Sequence, residues 1–178
     1  MVLFCVCQVG SEACLKHEVA RERPDWRLAF SRPGLVTFKV DDLTRREALD
    51  LDWQPIFAQR IGVALGAPLP DPLPAHQVRG TLRLLAKEIP DQPLRLHVFP
   101  MGPSHDRFPC PRCMALHDEL AARAPEAGVH LLPGPDPDPG DLVADIATSQ
   151  SDAWLVGLHR HHEGLTPWPG GTFPVMPP

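Results

Sequence analysis

RLAFSRPGLVTFKV, residues 27–40, reads as two strands joined by a tight turn. Arg27, Ala29 and Ser31 alternate with Leu28, Phe30 and Arg32, the period of a strand with two faces. Leu35, Val36, Thr37 and Phe38 then form an apolar, β-branched run. Between the runs Pro33 fixes one φ angle and Gly34 tolerates a positive one, as the corner of a hairpin requires. Working outward, SEACLKHEVARER (residues 11–23) carries Ala13, Leu15 and Val19 on one broad face, with Ser11 as a cap and Pro24 as a stop. Before it, VLFCVCQVG is an apolar run of strand length. Strand, helix, strand, strand is the first half of a ferredoxin-like unit. After Val40, LTRREAL predicts a short helix, and PIFAQRIGVALG (residues 55–66) supplies a strand to close the sheet.

A resemblance rests on the window CQVGSEACLKHEVARERPDWRLAFSRPGLVTFK, Cys7 to Lys39. It is similar to the N-terminus of the bacterial large-subunit (23S) rRNA ribose 2′-O-methyltransferase family. The similar positions are Gly10, Glu12, Lys16, Glu18, Pro24, Ala29, Phe30, Ser31, Arg32, Pro33, Gly34, Thr37, Phe38 and Lys39. Patchier similarity continues through PIFAQRIGVALG and the run from Trp154 to His159. The resemblance implies a ferredoxin-like domain and a THUMP RNA-binding domain ahead of a Rossmann-type methyltransferase. It also implies structured rRNA as partner and S-adenosylmethionine as cofactor of the full-length family.

The second half begins after APLPDPLPA (residues 67–75), whose four prolines mark a boundary. Residues 76–89 predict a helix, with Val78, Leu82, Leu85 and Ile89 on its apolar side. Arg79, Arg83 and Lys87 recur every four residues along an adjacent side. LRLHVFP predicts a strand, residues 111–123 a helix and residues 129–132 a short strand. DLVADIATS and DAWLVGLHR predict two more strands. The expected class is α+β, with a ferredoxin-like domain at 1–66, a linker at 67–75 and a THUMP-like domain at 76–164. The Pro/Gly-rich residues 165–178 read as a tail or interdomain linker, so the chain is expected to be a fragment or a protein without its catalytic half.

The net charge is −5, which counts against tight RNA binding by bulk charge. The charge is uneven: residues 136–152 hold five Asp and no base, leaving locally basic faces elsewhere. Five Cys without a basic apolar leader fit a cytoplasmic protein with reduced thiols. No apolar run reaches membrane-spanning length, so no membrane partner is expected.

Cys110 and Cys113 form the sharpest local motif, a CxxC with His105 and His117 nearby. It reads as part of a zinc site, as a redox dithiol, or as an ordinary loop–helix junction. HRHH at 159–162 cannot converge on one metal from a regular strand, because neighbours point to opposite faces. There is no GxGxxG after a strand, no Walker motif, no GxSxG and no HExxH. We therefore expect no Rossmann domain, no cofactor held by this chain and no catalysis by it alone. The resemblance implies that a separate methyltransferase domain or chain supplies the chemistry. The candidate phosphate contacts are Lys16, Arg32, Lys39, Arg79, Arg83, Lys87 and Arg160. The rival readings are a protein–protein interaction module that kept the fold, and a small CxxC zinc or redox protein.

Overall fold

The structure, a computed structural model, describes residues 1–66, 69–70, 74–101, 110–134, 136–148 and 153–162. The first strand, β1 (Val2–Cys7), is apolar on both sides, and Leu3, Phe4 and Cys5 are fully buried. A strand buried on both faces belongs at a sheet's centre. It lies between β3 (Leu35–Lys39) and β4 (Ala58–Ala64), antiparallel to both. β2 (Arg27–Arg32) pairs with β3 as a hairpin and forms the exposed edge. The turn falls at Pro33–Gly34, and Gly34 has φ +79°, a region that only glycine enters cheaply.

Helix α1 (Glu12–Glu22) lays Leu15 and Val19 over this sheet. Ser11 stands at its N-cap, but its hydroxyl donates to the Gln8 carbonyl instead of closing the cap. Glu12 does more: its carboxylate accepts from the Gly10 N–H and from the Gly34 N–H at 2.7 Å. One side chain thus ties the start of α1 to the hairpin turn. The short helix α2 (Arg45–Leu49) opens with a capping box between Thr44 and Glu47.

The Pro-rich segment contributes β5 (Leu69–Pro70), which pairs with the last strand, and α3 (Pro74–Glu88) begins at its end. Then follow β6 (Arg95–Pro100), α4 (Pro111–Arg123), β7 (Leu142–Thr148) and β8 (Ala153–Arg160). The expected strand at 129–132 is reduced to one parallel bridge, Leu131 to Leu94. Gly128 turns left-handed before it, and Gly134 does so after it, leaving too little straight chain for a ladder. The tail from 165 to 178 lies outside the described residues.

The strand order is β2-β3-β1-β4-β8-β7-β6, so one sheet runs through both halves. The seam is β4 against β8, where Val63 faces Leu158 and Ala64 faces Gly157. The first four strands have ferredoxin order, and the remainder is the THUMP-like half; the class is α+β. The four α-helices of the described residues cover one face. Leu3, Val36 and Val63 meet α1 there, while Ala144, Ile146, Val156 and Leu158 meet α3 and α4. No helix among the described residues packs on the other face. That side carries Phe4, Val6, Leu35, Phe99, Ala147 and Leu155. No helix among the described residues is long and apolar enough to cross a membrane.

Candidate nucleic-acid interface

Packing fixes the direction of the cation stripe. Val78 and Leu85 of α3 are fully buried and Leu82 nearly so, each contributing about 2 kcal/mol. Exposed cations contribute far less, so the apolar side sets the helix's rotation. Arg79, Arg83 and Lys87 are consequently exposed together. At 1.5 Å rise per residue the three span about 12 Å of helix. Lys87 touches Glu88 at 3.6 Å, while Arg45 holds the same carboxylate more closely at 2.7 Å.

The other sequence-derived cations stand elsewhere. Lys16 is half-buried on α1. Arg32 and Lys39 share the helix-free sheet face with Arg27 and Phe30, because Arg27 pairs with Lys39, Phe30 with Thr37 and Arg32 with Leu35. Phe30 is 51% exposed and Leu28 53%. Arg160 is on the helix-covered side and is already engaged: its Nε donates to Asp50 at 2.8 Å and its Nη1 to the Gly140 carbonyl at 2.8 Å. It borders a polar cleft of about 490 Å³ with Arg45, Arg46, Asp50 and Glu88. The seven cations therefore form a stripe on α3, a second patch on the hairpin, and two separate positions.

A buried polar cluster occupies the centre of the helix-free face. Asp145 on β7 is 1% exposed. Its carboxylate meets Arg60 of β4 at 3.1 Å, His97 of β6 at 2.9 Å and His159 of β8 at 2.5 Å. Burial pushes the Asp145 carboxyl up, but the charge of Arg60, then His159 and the hydrogen bonds, outweigh it and hold it far below the usual carboxylate range. His97 is lowered by burial and by Arg60, against the pull of Asp145. The His97 ring stacks on the Phe99 ring at 4.9 Å, and the Arg60 guanidinium lies 5.3 Å from the Phe99 ring. Arg60, His97 and Asp145 went unread in the sequence. The available signal was Asp145 itself, a lone acid inside the apolar run LVADIAT; a buried charge requires partners.

Cys110 stands at the N-cap of α4 and Cys113 in its first turn. Cys113 is buried, with its sulfur 3.6 Å from the Thr148 hydroxyl. His117 contacts the neighbouring Asp118 at 3.3 Å, and His105 lies outside the described residues. Among the described residues no three His, Cys, Asp or Glu side chains gather as a metal site.

No protein-family model and no curated protein matches this chain. Solved structures do share its fold. TrmN from Thermus thermophilus superposes with TM-score 0.58 at 15% identity, covering 90% of this chain and 46% of its own. A "possible methylase" from Clostridium difficile 630 gives 0.57 at 12% identity, covering 88% and 40%. SMU.472, solved complexed with SAH, gives 0.53 at 16%, covering 88% and 40%. The chain spans less than half the length of each of these structures. The fold is thus one found in larger proteins, one of them described as a possible methylase.

Proposed function

We propose that this chain is the RNA-recognition region of an S-adenosylmethionine-dependent ribose 2′-O-methyltransferase acting on 23S rRNA in the cytoplasm. In this reading residues 1–66 and 76–164 are two modules, and the methyl-transfer domain belongs to another domain or chain. The modules hold structured RNA by shape and backbone, so that one ribose is positioned for reaction elsewhere. The observation that supports it is the α3 stripe, where packing presents Arg79, Arg83 and Lys87 to solvent together. Lys16, Arg32 and Lys39 extend the contact; Arg160 joins only by releasing Asp50. The fold shared with TrmN and the possible methylase supports the setting, and the Cys7–Lys39 window supports the ribose chemistry.

The test is an anisotropy titration of rRNA fragments at several salt concentrations. Replacing Arg79, Arg83 and Lys87 together with Gln is expected to weaken binding and flatten the salt slope by about two to three units. The melting midpoint is expected to stay within a few degrees, since exposed cations contribute little. Unchanged affinity and slope would defeat the reading. The alternative it would favour is a protein–protein interaction module. Ile56 at 82% exposure, Leu28 at 53% and Phe30 at 51%, on a chain of net charge −5, are the observations on its side.

A further inference from the structure

We propose that Cys110 and Cys113 are a thiol–disulfide exchange pair that low-molecular-weight disulfides oxidise to an intramolecular disulfide. This rests on neither RNA binding nor methyl transfer. The first turn of α4 is formed, with the Met114 N–H donating to the Cys110 carbonyl at 3.0 Å. Residues three apart on such a turn have Cα atoms about 5 Å apart, inside the span a disulfide bridges without moving the backbone. Pro111 at the first helical position holds that turn in place.

The two sulfurs are unequal. Cys110 is half-buried and reachable, whereas Cys113 is 4% exposed. Burial pushes the Cys110 thiol up, but the backbone N–H and thiol of Cys113, with Arg112, outweigh it and bring it below the ordinary value. Burial pushes Cys113 up to about 11. Cys110 is therefore the attacking sulfur and Cys113 the resolving one. The other cysteines do not share this arrangement: Cys5 and Cys7 are buried on β1, and Cys14 is exposed on α1.

The reaction balances as exchange. The Cys110 thiolate attacks one sulfur of R–S–S–R, forming Cys110–S–S–R and releasing one thiolate, which takes a proton. Cys113 gives up its proton and attacks the Cys110 sulfur, expelling the second thiolate. Two protein thiols lose two electrons and two protons, and the small disulfide becomes two thiols. In the product the Cys113 sulfur is turned toward Cys110 and away from Thr148, whose hydroxyl also donates to the Phe99 carbonyl at 3.3 Å.

The experiment uses the full chain, incubated with glutathione disulfide and glutathione at graded ratios, then alkylated and mapped by mass spectrometry. The expected product is one Cys110–Cys113 disulfide per chain, formed at ratios that leave Cys14 mostly free. At neutral pH, reduced Cys110 should react with iodoacetamide at least about tenfold faster than Cys113. Cys113→Ser should stop at one glutathione on Cys110, and Cys110→Ser should yield no disulfide at this site. Three results would each overturn the proposal: both thiols still reduced where Cys14 is modified, wild-type chain stalled as the mixed disulfide, or one zinc per purified chain that Cys113→Ser releases. Mapping of the wild-type chain decides the matter even where a serine variant folds poorly.

Discussion

At Gly34 the backbone adopts φ +79° while its N–H is held by Glu12. A β-branched side chain resists that conformation, and straightening it would break the hydrogen bond. Gly34→Val is expected to destabilise the chain by about 1–3 kcal/mol in chemical denaturation; an unchanged midpoint would mean the turn is misplaced. Gly157 matters for a different reason. A Cβ there would stand 2.3 Å from a ring carbon of Phe4, and one at Gly62 2.6 Å from the same ring. These two glycines, on β8 and β4, make room for Phe4 of β1 at the seam between the halves. Gly157→Ala is expected to cost about 1–3 kcal/mol by overpacking, read as a lower melting midpoint. Gly34 was legible in the sequence because Pro33 and two flanking strands define its job locally. Gly157 was not, because its job is set by a residue 153 positions away on a non-adjacent strand.

Elements were readable to the extent that their periodicity is local. The hairpin, α1, β4, α3, α4 and the last two strands all follow from apolar spacing, and the direction of the α3 stripe follows from Val78, Leu82 and Leu85. The central cluster does not, since Arg60, His97, Asp145 and His159 come from four strands, with Arg60 37 positions from His97 and His97 48 positions from Asp145. Its behaviour with pH follows from its charges. His97 faces Arg60, Asp145 and His159, and its folded pKa lies below 6.5, so the unfolded chain binds the proton more readily. Stability should therefore fall as pH drops below about 6.5. The effect is moderated because His97 is 35% exposed. Asp145 is shifted down as well, so its contribution is present above about pH 4 and is lost on further acidification. His97→Gln should flatten the melting midpoint between pH 7 and about 5. Asp145→Asn should destabilise the chain by about 2–4 kcal/mol, because it leaves the half-buried Arg60 without its counter-charge. A wild-type midpoint constant over that pH range, or an Asp145→Asn variant as stable as wild type, would show that the cluster does not brace the sheet.

For the whole molecule, the sharpest question is whether the chain holds the methyl donor itself. Open sheets that bind nucleotides do so at the carboxyl ends of parallel strands, where the strand order reverses and a glycine-rich turn opens a helix. Among the described residues every strand pairing is antiparallel except β6 with β7, beside the single parallel bridge of Leu94 to Leu131. The sequence contains no GxGxxG to open a helix. The cleft beside Arg160 is charge-paired: Asp50 and Glu88 line it, and its guanidinium groups are already paired to them. A micromolar ligand needs about 8 kcal/mol of net binding free energy. That requires an enclosed apolar site with a few convergent polar groups, and a charge-paired open cleft does not provide one. Calorimetry of the isolated chain with S-adenosylmethionine is therefore expected to give no heat of binding at micromolar concentrations. Saturable binding there would place the donor site in this chain and overturn the proposed assignment of methyl transfer to another domain or chain.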